Sequence, residues 1–213
     1  FSKMRLLFKK SIGWVFALTF PTFLVIVFYA EEILVLIYGA EYGAGTVALL
    51  ILAIGTLLDV STGFSSSFLM ADEDTSYLFY VKVGVSTVNI LFNLSLVPII
   101  GIEGAAITTA LSYVLENSIF LYLTREQHAW NFDLIYMFKC VLAGLPALII
   151  SMILLRVGFN YYLNIALAGI GFASIYVLML FVLRTFDRED KMIFNKILEH
   201  YNLDKYYRFD ESR

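Results

Sequence analysis

Six runs of about 20 mainly apolar residues, at 11–30, 44–70, 77–98, 103–123, 134–155 and 161–183, leave this chain few ways to fold. Each is long enough to cross the hydrocarbon of a bilayer as a helix. In that solvent only helices and closed barrels satisfy their own backbone N–H and C=O groups. The runs are continuous rather than alternating, which selects the helix. Composition agrees, with 60% hydrophobic and 15% charged residues and a mean hydropathy of +0.80; soluble domains carry about 25% charged residues. The expected fold is therefore all-α: a polytopic transmembrane bundle of about six spans over 1–183 and a charged tail over 184–213. The stretch EEILVLIYGAEYG between the first two runs is too short to span and reads as an interfacial turn of helix.

The formal net charge of −3 says little, because in membrane proteins the position of each Lys and Arg matters more than the sum. Lys3, Arg5, Lys9 and Lys10 precede the first run, Arg125 lies between the fourth and fifth, and seven more basic residues lie between Arg184 and Arg213. If six helices alternate, all of these fall on one side, and only Arg156 falls on the other. Lys82 and Lys139 lie near the first-side ends of their runs, where long stems snorkel to the interface. The expectation is a multi-pass protein of the cell membrane with both ends of the chain cytoplasmic. The tail DREDKMIFNKILEHY places Ile193, Phe194, Ile197, Leu198 and Tyr201 at helical spacing behind a capping Asp187, as in an amphipathic helix on the cytoplasmic face. The chain opens on Phe1 without a signal-peptide pattern, and the expectation is a piece of a longer protein.

Three consecutive runs carry polar stripes. Lys82, Ser86, Asn89 and Asn93 share one face of the third. The second carries Thr56, Asp59, Thr62 or Gly63, and Ser66. The fourth carries Gly104, Thr108, Ser112 and Glu116, with Asn117 beside them. A charge near the bilayer centre costs about 2.5–3.5 kcal/mol on insertion scales, so Asp59 and Glu116 require partners, water or protonation. Two readings are open. Such groups are common interhelical glue; they also line pathways, and a desolvated carboxylate can bind a proton or a sodium ion. The expected arrangement is one shared polar interior in which Asp59, Lys82, Ser86, Asn89, Asn93, Glu116 and Asn117 are candidates for the substrate or ion pathway. The fifth and sixth runs have few polar groups and are expected to pack peripherally.

Other motifs carry less. Cys140 is a lone cysteine in an apolar run, and His128 and His200 are isolated, so no metal site or disulfide is expected. Asp72-Glu73-Asp74 resembles a metal-holding acidic triplet but lies in a short hairpin between spans. Asn93-Leu94-Ser95 matches a glycosylation sequon inside a span, out of reach of the modifying enzyme. Phosphate loops, nucleophile elbows and zinc-protease patterns are absent from the sequence. The expectation is no enzyme, no cofactor and no nucleic-acid partner.

The helix containing Pro21, followed by ILVLIYGAEY with Tyr38, Gly39 and Tyr42, resembles a signature of polysaccharide flippases. The serine-rich SSSFLMA, the asparagine-bearing run, and the turn carried by Pro98, Gly101, Gly104, Ala105 and Ala106 follow in the same order. Together they resemble the C-terminal region of a lipid-linked oligosaccharide flippase of the multidrug/oligosaccharidyl-lipid/polysaccharide exporter superfamily. The likeness covers residues 10–125, and the last two runs are similar in layout. One departure is ADEDT at 71–75, where that family has a glycine and basic residues.

The resemblance implies part of the second of two lobes, with a first, N-terminal lobe missing. It implies a polyprenyl-linked oligosaccharide carried to the outer leaflet by alternating access, with membrane lipid as the other partner; ion coupling through Asp59 or Glu116 is the separate expectation that the residues themselves raise. Rival expectations are a drug or metabolite exporter of the same superfamily, a membrane-embedded glycan polymerase or ligase, and a non-transporting assembly subunit. On physical grounds Pro98 should stop its helix, Gly101 should permit the tight turn, and Gly104 should allow close helix approach.

Overall fold

The computed structural model describes residues 2–62, 76–124, 133–156, 161–187, 190, 192, 193 and 195. All regular structure among them is helical. The helices are α1 (Ser2–Tyr38), a short 3-10 helix (Ala40–Gly45), α2 (Thr46–Thr62), α3 (Ser76–Ile100), α4 (Ile102–Thr124), α5 (Leu134–Leu155) and α6 (Tyr161–Val182). Six of these stretches are long and apolar enough to cross a membrane, and the protein is a membrane-embedded helical bundle. Large apolar side chains such as Leu18, Ile99 and Ile135 point outward at 76%, 79% and 72% exposure, which suits lipid and not water. SSSFLMA, the acidic hairpin at 71–75, Gly63, Ser66, Arg125, His128 and most of the tail, including Phe194, Ile197, Leu198, His200 and Tyr201, lie outside the described residues.

The chain divides into two compact units, Phe1–Asp133 and Leu134–Arg213. In the first, α1 packs on α2, α2 on α4, and α4 on α3, so α4 sits between α2 and α3. Lys9 pairs with Asp133 at 3.0 Å and ties the start of the unit to its end. Phe120 of α4 is almost fully buried and packs with Leu78 and Val81 of α3. In the second unit, α5 and α6 pack on each other. The buried residues of α5, Tyr136, Cys140, Ala143, Ala147 and Ser151, recur every three or four positions and are mostly small. Those of α6, Ala168, Phe172, Tyr176 and Leu180, include two large rings. Cys140 and Tyr176 are both buried in that unit.

The first helix leaves helical geometry at Tyr29 (φ −130°, ψ 25°), eight residues after Pro21 and within one residue of the expected end of the first run, and a short helical stretch then continues to Tyr38. Length supplies the reason. Lys9–Tyr38 has 30 residues, about 45 Å of helix, against about 30 Å of hydrocarbon. A bend at Tyr29 leaves about one span's length before it. Gly39 then takes φ 108° and ψ 166°, a backbone region open essentially to glycine alone, and the 3-10 turn starts.

One expectation about helix ends is corrected: Pro98 does not stop α3. A proline removes the donor to the turn before it and leaves the following residues free to stay helical. The helix runs on to Ile100 and ends at Gly101, whose N–H still bonds to the Val97 carbonyl at 2.9 Å and whose φ of 63° then turns the chain out of the helix. Gly101 is the whole connection between α3 and α4.

The end of α6 is built differently. Arg184 sits at φ 47°, the Thr185 N–H reaches the Leu180 carbonyl at 3.0 Å, and the Arg184 N–H reaches that of Phe181 at 3.0 Å. This is a Schellman cap with arginine where glycine is usual. Three residues on, the Asp190 N–H donates to Asp187 Oδ1 at 3.0 Å and the Asp187 N–H to Asp190 Oδ2 at 2.8 Å. That reciprocal pair is a capping box for the tail, with Asp187 in the capping place.

Close approach in the first unit depends on two glycines. A Cβ on Gly104 would lie 2.8 Å from the Leu96 carbonyl oxygen, and one on Gly55 would lie 2.7 Å from the Ala110 Cβ. Gly84, by contrast, has nothing within 4 Å of that position. Gly104→Ala is expected to destabilise the protein by about 1–3 kcal/mol through overpacking, while Gly84→Ala gains up to about 1 kcal/mol of helix propensity. Thermal unfolding in detergent checks both. Arg184→Gly is expected to relieve about 1 kcal/mol of left-handed strain in the same assay.

Candidate functional site

Each polar residue of the three stripes faces the choice set by hydrocarbon: bond to another protein group or stay unsatisfied. The structure answers with bonds on two sides of α4. On one side, the Asn117 amide donates to Asp59 Oδ1 of α2 at 2.8 Å, and also to the Tyr113 carbonyl at 2.8 Å. Asn117 is buried, and both hydrogens of its amide are used. The bond joins residues on helices that already touch through Gly55 and Ala110.

On the other side α4 meets α3. Lys82 Nζ donates to Glu116 Oε1 at 2.8 Å, with the lysine side chain 58% exposed and the glutamate 23%. About two turns along α3, the Asn89 amide donates to the Ser112 hydroxyl at 2.8 Å, and that hydroxyl donates to the Thr108 carbonyl at 2.8 Å. The Asn93 amide donates to the Asn89 side-chain and backbone oxygens, both at 2.9 Å. The result is a directional chain from Asn93 through Asn89 and Ser112 to the Thr108 carbonyl. Thr108 is fully buried, and its own hydroxyl turns back to the Ala105 carbonyl at 2.9 Å.

The expected single interior is thus two seams. Glu116 and Asn117 are neighbours in sequence, and neighbours on a helix point about 100° apart. Glu116 therefore faces α3 while Asn117 faces α2. Ser86 lies on the Lys82 face, exposed, one turn further along α3. Thr56 is exposed as well, and Thr62 bonds back to the Leu58 carbonyl at 2.7 Å. Pro21, Gly39, Tyr42, Pro98, Gly101 and Gly104 stand apart from the seams: they shape the backbone and the close contact of α3 with α4. A shallow hollow on α3 is lined by Ile90, Asn93, Leu94, Val97 and Pro98.

Among the described residues no group of three or more His, Cys, Asp or Glu could hold a metal. The seams offer one exposed ammonium, one exposed hydroxyl, two carboxylates and three amides. No family model matches the sequence, and no curated protein matches it.

Two contributors escaped the sequence reading. Gly55 is one; its signal is a helix-weakening glycine in the middle of an apolar run, where only a packing reason offsets the loss. Asn164 is the other. Its amide reaches the Leu155 carbonyl at 3.3 Å and serves one of the open acceptors at the end of α5. A lone asparagine near a helix start gives no hint of a partner on the preceding helix.

Replacing Asn117 with Leu leaves the Asp59 carboxylate without its amide and is expected to cost about 1–3 kcal/mol. Asp59→Asn should cost less, and the Asp59→Leu/Asn117→Leu double variant should recover part of the loss. A double-mutant cycle on thermal unfolding measures the coupling; full additivity would show that the bond contributes nothing.

Proposed function

We propose that this chain is part of the second lobe of a membrane transporter that moves a lipid-linked oligosaccharide from the inner to the outer leaflet. The observation that carries the reading is α3. It holds the longest polar stripe, Lys82 to Asn93, yet it is the least buried of the six candidate spans. A helix that presents an ammonium and a hydroxyl on a largely uncovered surface is badly suited to lipid and well suited to a polar pathway. The side of α3 that α4 leaves open is where a first lobe of the same protein would complete the path.

The orientation follows from the basic residues. With both ends of the chain in the cytoplasm of a cell-membrane protein, Lys82 and Glu116 lie toward the cytoplasmic leaflet and the Gly101 turn toward the outside. Substrate would then meet the ion pair first and the Asn89–Ser112 bond deeper. The order and spacing of the Pro21, Gly39–Tyr42 and Pro98–Gly104 motifs, which resemble those of polysaccharide flippases, supply the substrate class. Alternating access by rocking of two lobes is the mechanism that fits a helical bundle of this kind.

Deleting the full gene is expected to trap lipid-linked glycan in the cytoplasmic leaflet, with recovery on complementation by the full-length protein. Leaflet-specific enzymatic labelling of the glycan measures it. An unchanged leaflet distribution in the deletion strain would remove the reading.

A further inference from the structure

We propose that Lys82 and Glu116 are an exchange pair: the Glu116 carboxylate holds the Lys82 ammonium while the site is empty, and the phosphate of a lipid-linked substrate displaces it on loading. The inference rests on the transport reading above and names the group that would take the substrate's charged end.

Four features point to a phosphate. First, Lys82 uses a single contact, to Glu116 Oε1, and at 58% exposure an ammonium with three donors keeps room for another acceptor. Ser86, exposed one turn away on the same face, adds a hydroxyl donor. Second, the pair lies near one end of the helix. Lys82 is six residues into α3 from Ser76, about 9 Å along the axis, a depth from which a long lysine stem can reach toward lipid headgroups. Third, Tyr77, Phe79 and Tyr80, exposed at 57%, 66% and 71%, surround that end of the helix as interfacial aromatics do.

The fourth feature is charge. A carboxylate ligand would only replace one monoanion with another. A phosphate or diphosphate brings more charge and more acceptor oxygens, so it wins the ammonium from Glu116. Once displaced, Glu116 is itself 23% exposed and can be hydrated in place. The Asn89–Ser112 bond further along keeps α3 and α4 joined while the ion pair is open.

An ion pair that only braces two helices and an exchange pair differ in the sign of one effect. If Glu116 competes with the ligand, removing its charge must tighten binding. The test uses the full-length protein in phosphatidylcholine nanodiscs with farnesyl diphosphate as the probe. Glu116→Gln is expected to bind it about two- to fivefold more tightly, the range an exposed ion pair is worth. Lys82→Gln should weaken binding about tenfold or more, the scale of a charge-assisted bond, and Lys82→Arg should retain it. Thermal unfolding of each variant controls for folding.

Unchanged or weaker binding by a folded Glu116→Gln protein overturns the exchange pair. Inorganic pyrophosphate separates the sources of the phosphate: weak competition supports the lipid-linked form, and competition equal to the prenyl compound overturns that assignment. Loss of farnesyl diphosphate binding in phosphatidylglycerol nanodiscs, in the native protein but not in Lys82→Gln, would assign the site to bulk lipid and overturn it too. The transport reading fails separately, through an unchanged leaflet distribution of glycan in the deletion strain.

Discussion

Hydrocarbon offers no hydrogen bonds, and that one constraint organises the first unit. Apolar surface gains nothing from leaving lipid for another helix, so polar bonds and close packing must hold the helices together. Both meet on α4. Its Asn117 face takes Asp59 of α2, and its Ser112–Glu116 face takes Asn89 and Lys82 of α3. Two glycines let the backbones approach closely enough for side chains this short to reach, Gly55 toward Ala110 and Gly104 toward Leu96. The second unit relies more on shape, with the small face of α5 matched to the rings of α6.

Much of this architecture is legible in the sequence, because length and hydropathy are the same quantities that a bilayer selects. The helical class follows directly from six long apolar runs. The requirement that Asp59 and Glu116 find partners also follows, from the cost of an isolated charge. Which partner each finds does not. Asn117 and Glu116 adjoin in sequence but look toward different helices, and only the packing order α2–α4–α3 reveals it. Helix ends were the least legible. Pro98 is a strong breaker by reputation, yet the left-handed Gly101 three residues later ends the helix. The bend of α1 at Tyr29 was more legible, since the first apolar run ends at residue 30, just before Glu31 and Glu32.

The two seams also differ in kind. The Asp59–Asn117 bond involves a buried amide with both hydrogens committed, an arrangement that resists rearrangement. The Lys82–Glu116 pair is half exposed and holds by a single contact. The α3 seam does not depend on that pair alone, because the Asn89–Ser112 bond and the packing of Phe120 on Leu78 and Val81 hold the same two helices together.

The single-residue link at Gly101 has a consequence for how the protein is made. Alone, α3 would carry Lys82 and Asn89 into lipid without the α4 groups to which they bond. Joined to α4 by one glycine, it is expected to enter the bilayer together with its partner, as a hairpin. Lysine meets glutamate and asparagine meets serine at the moment of entry, and the cost of burying a charge is lowered before it is incurred. A one-residue connection thus sets a helix with a polar stripe directly beside the helix that satisfies it.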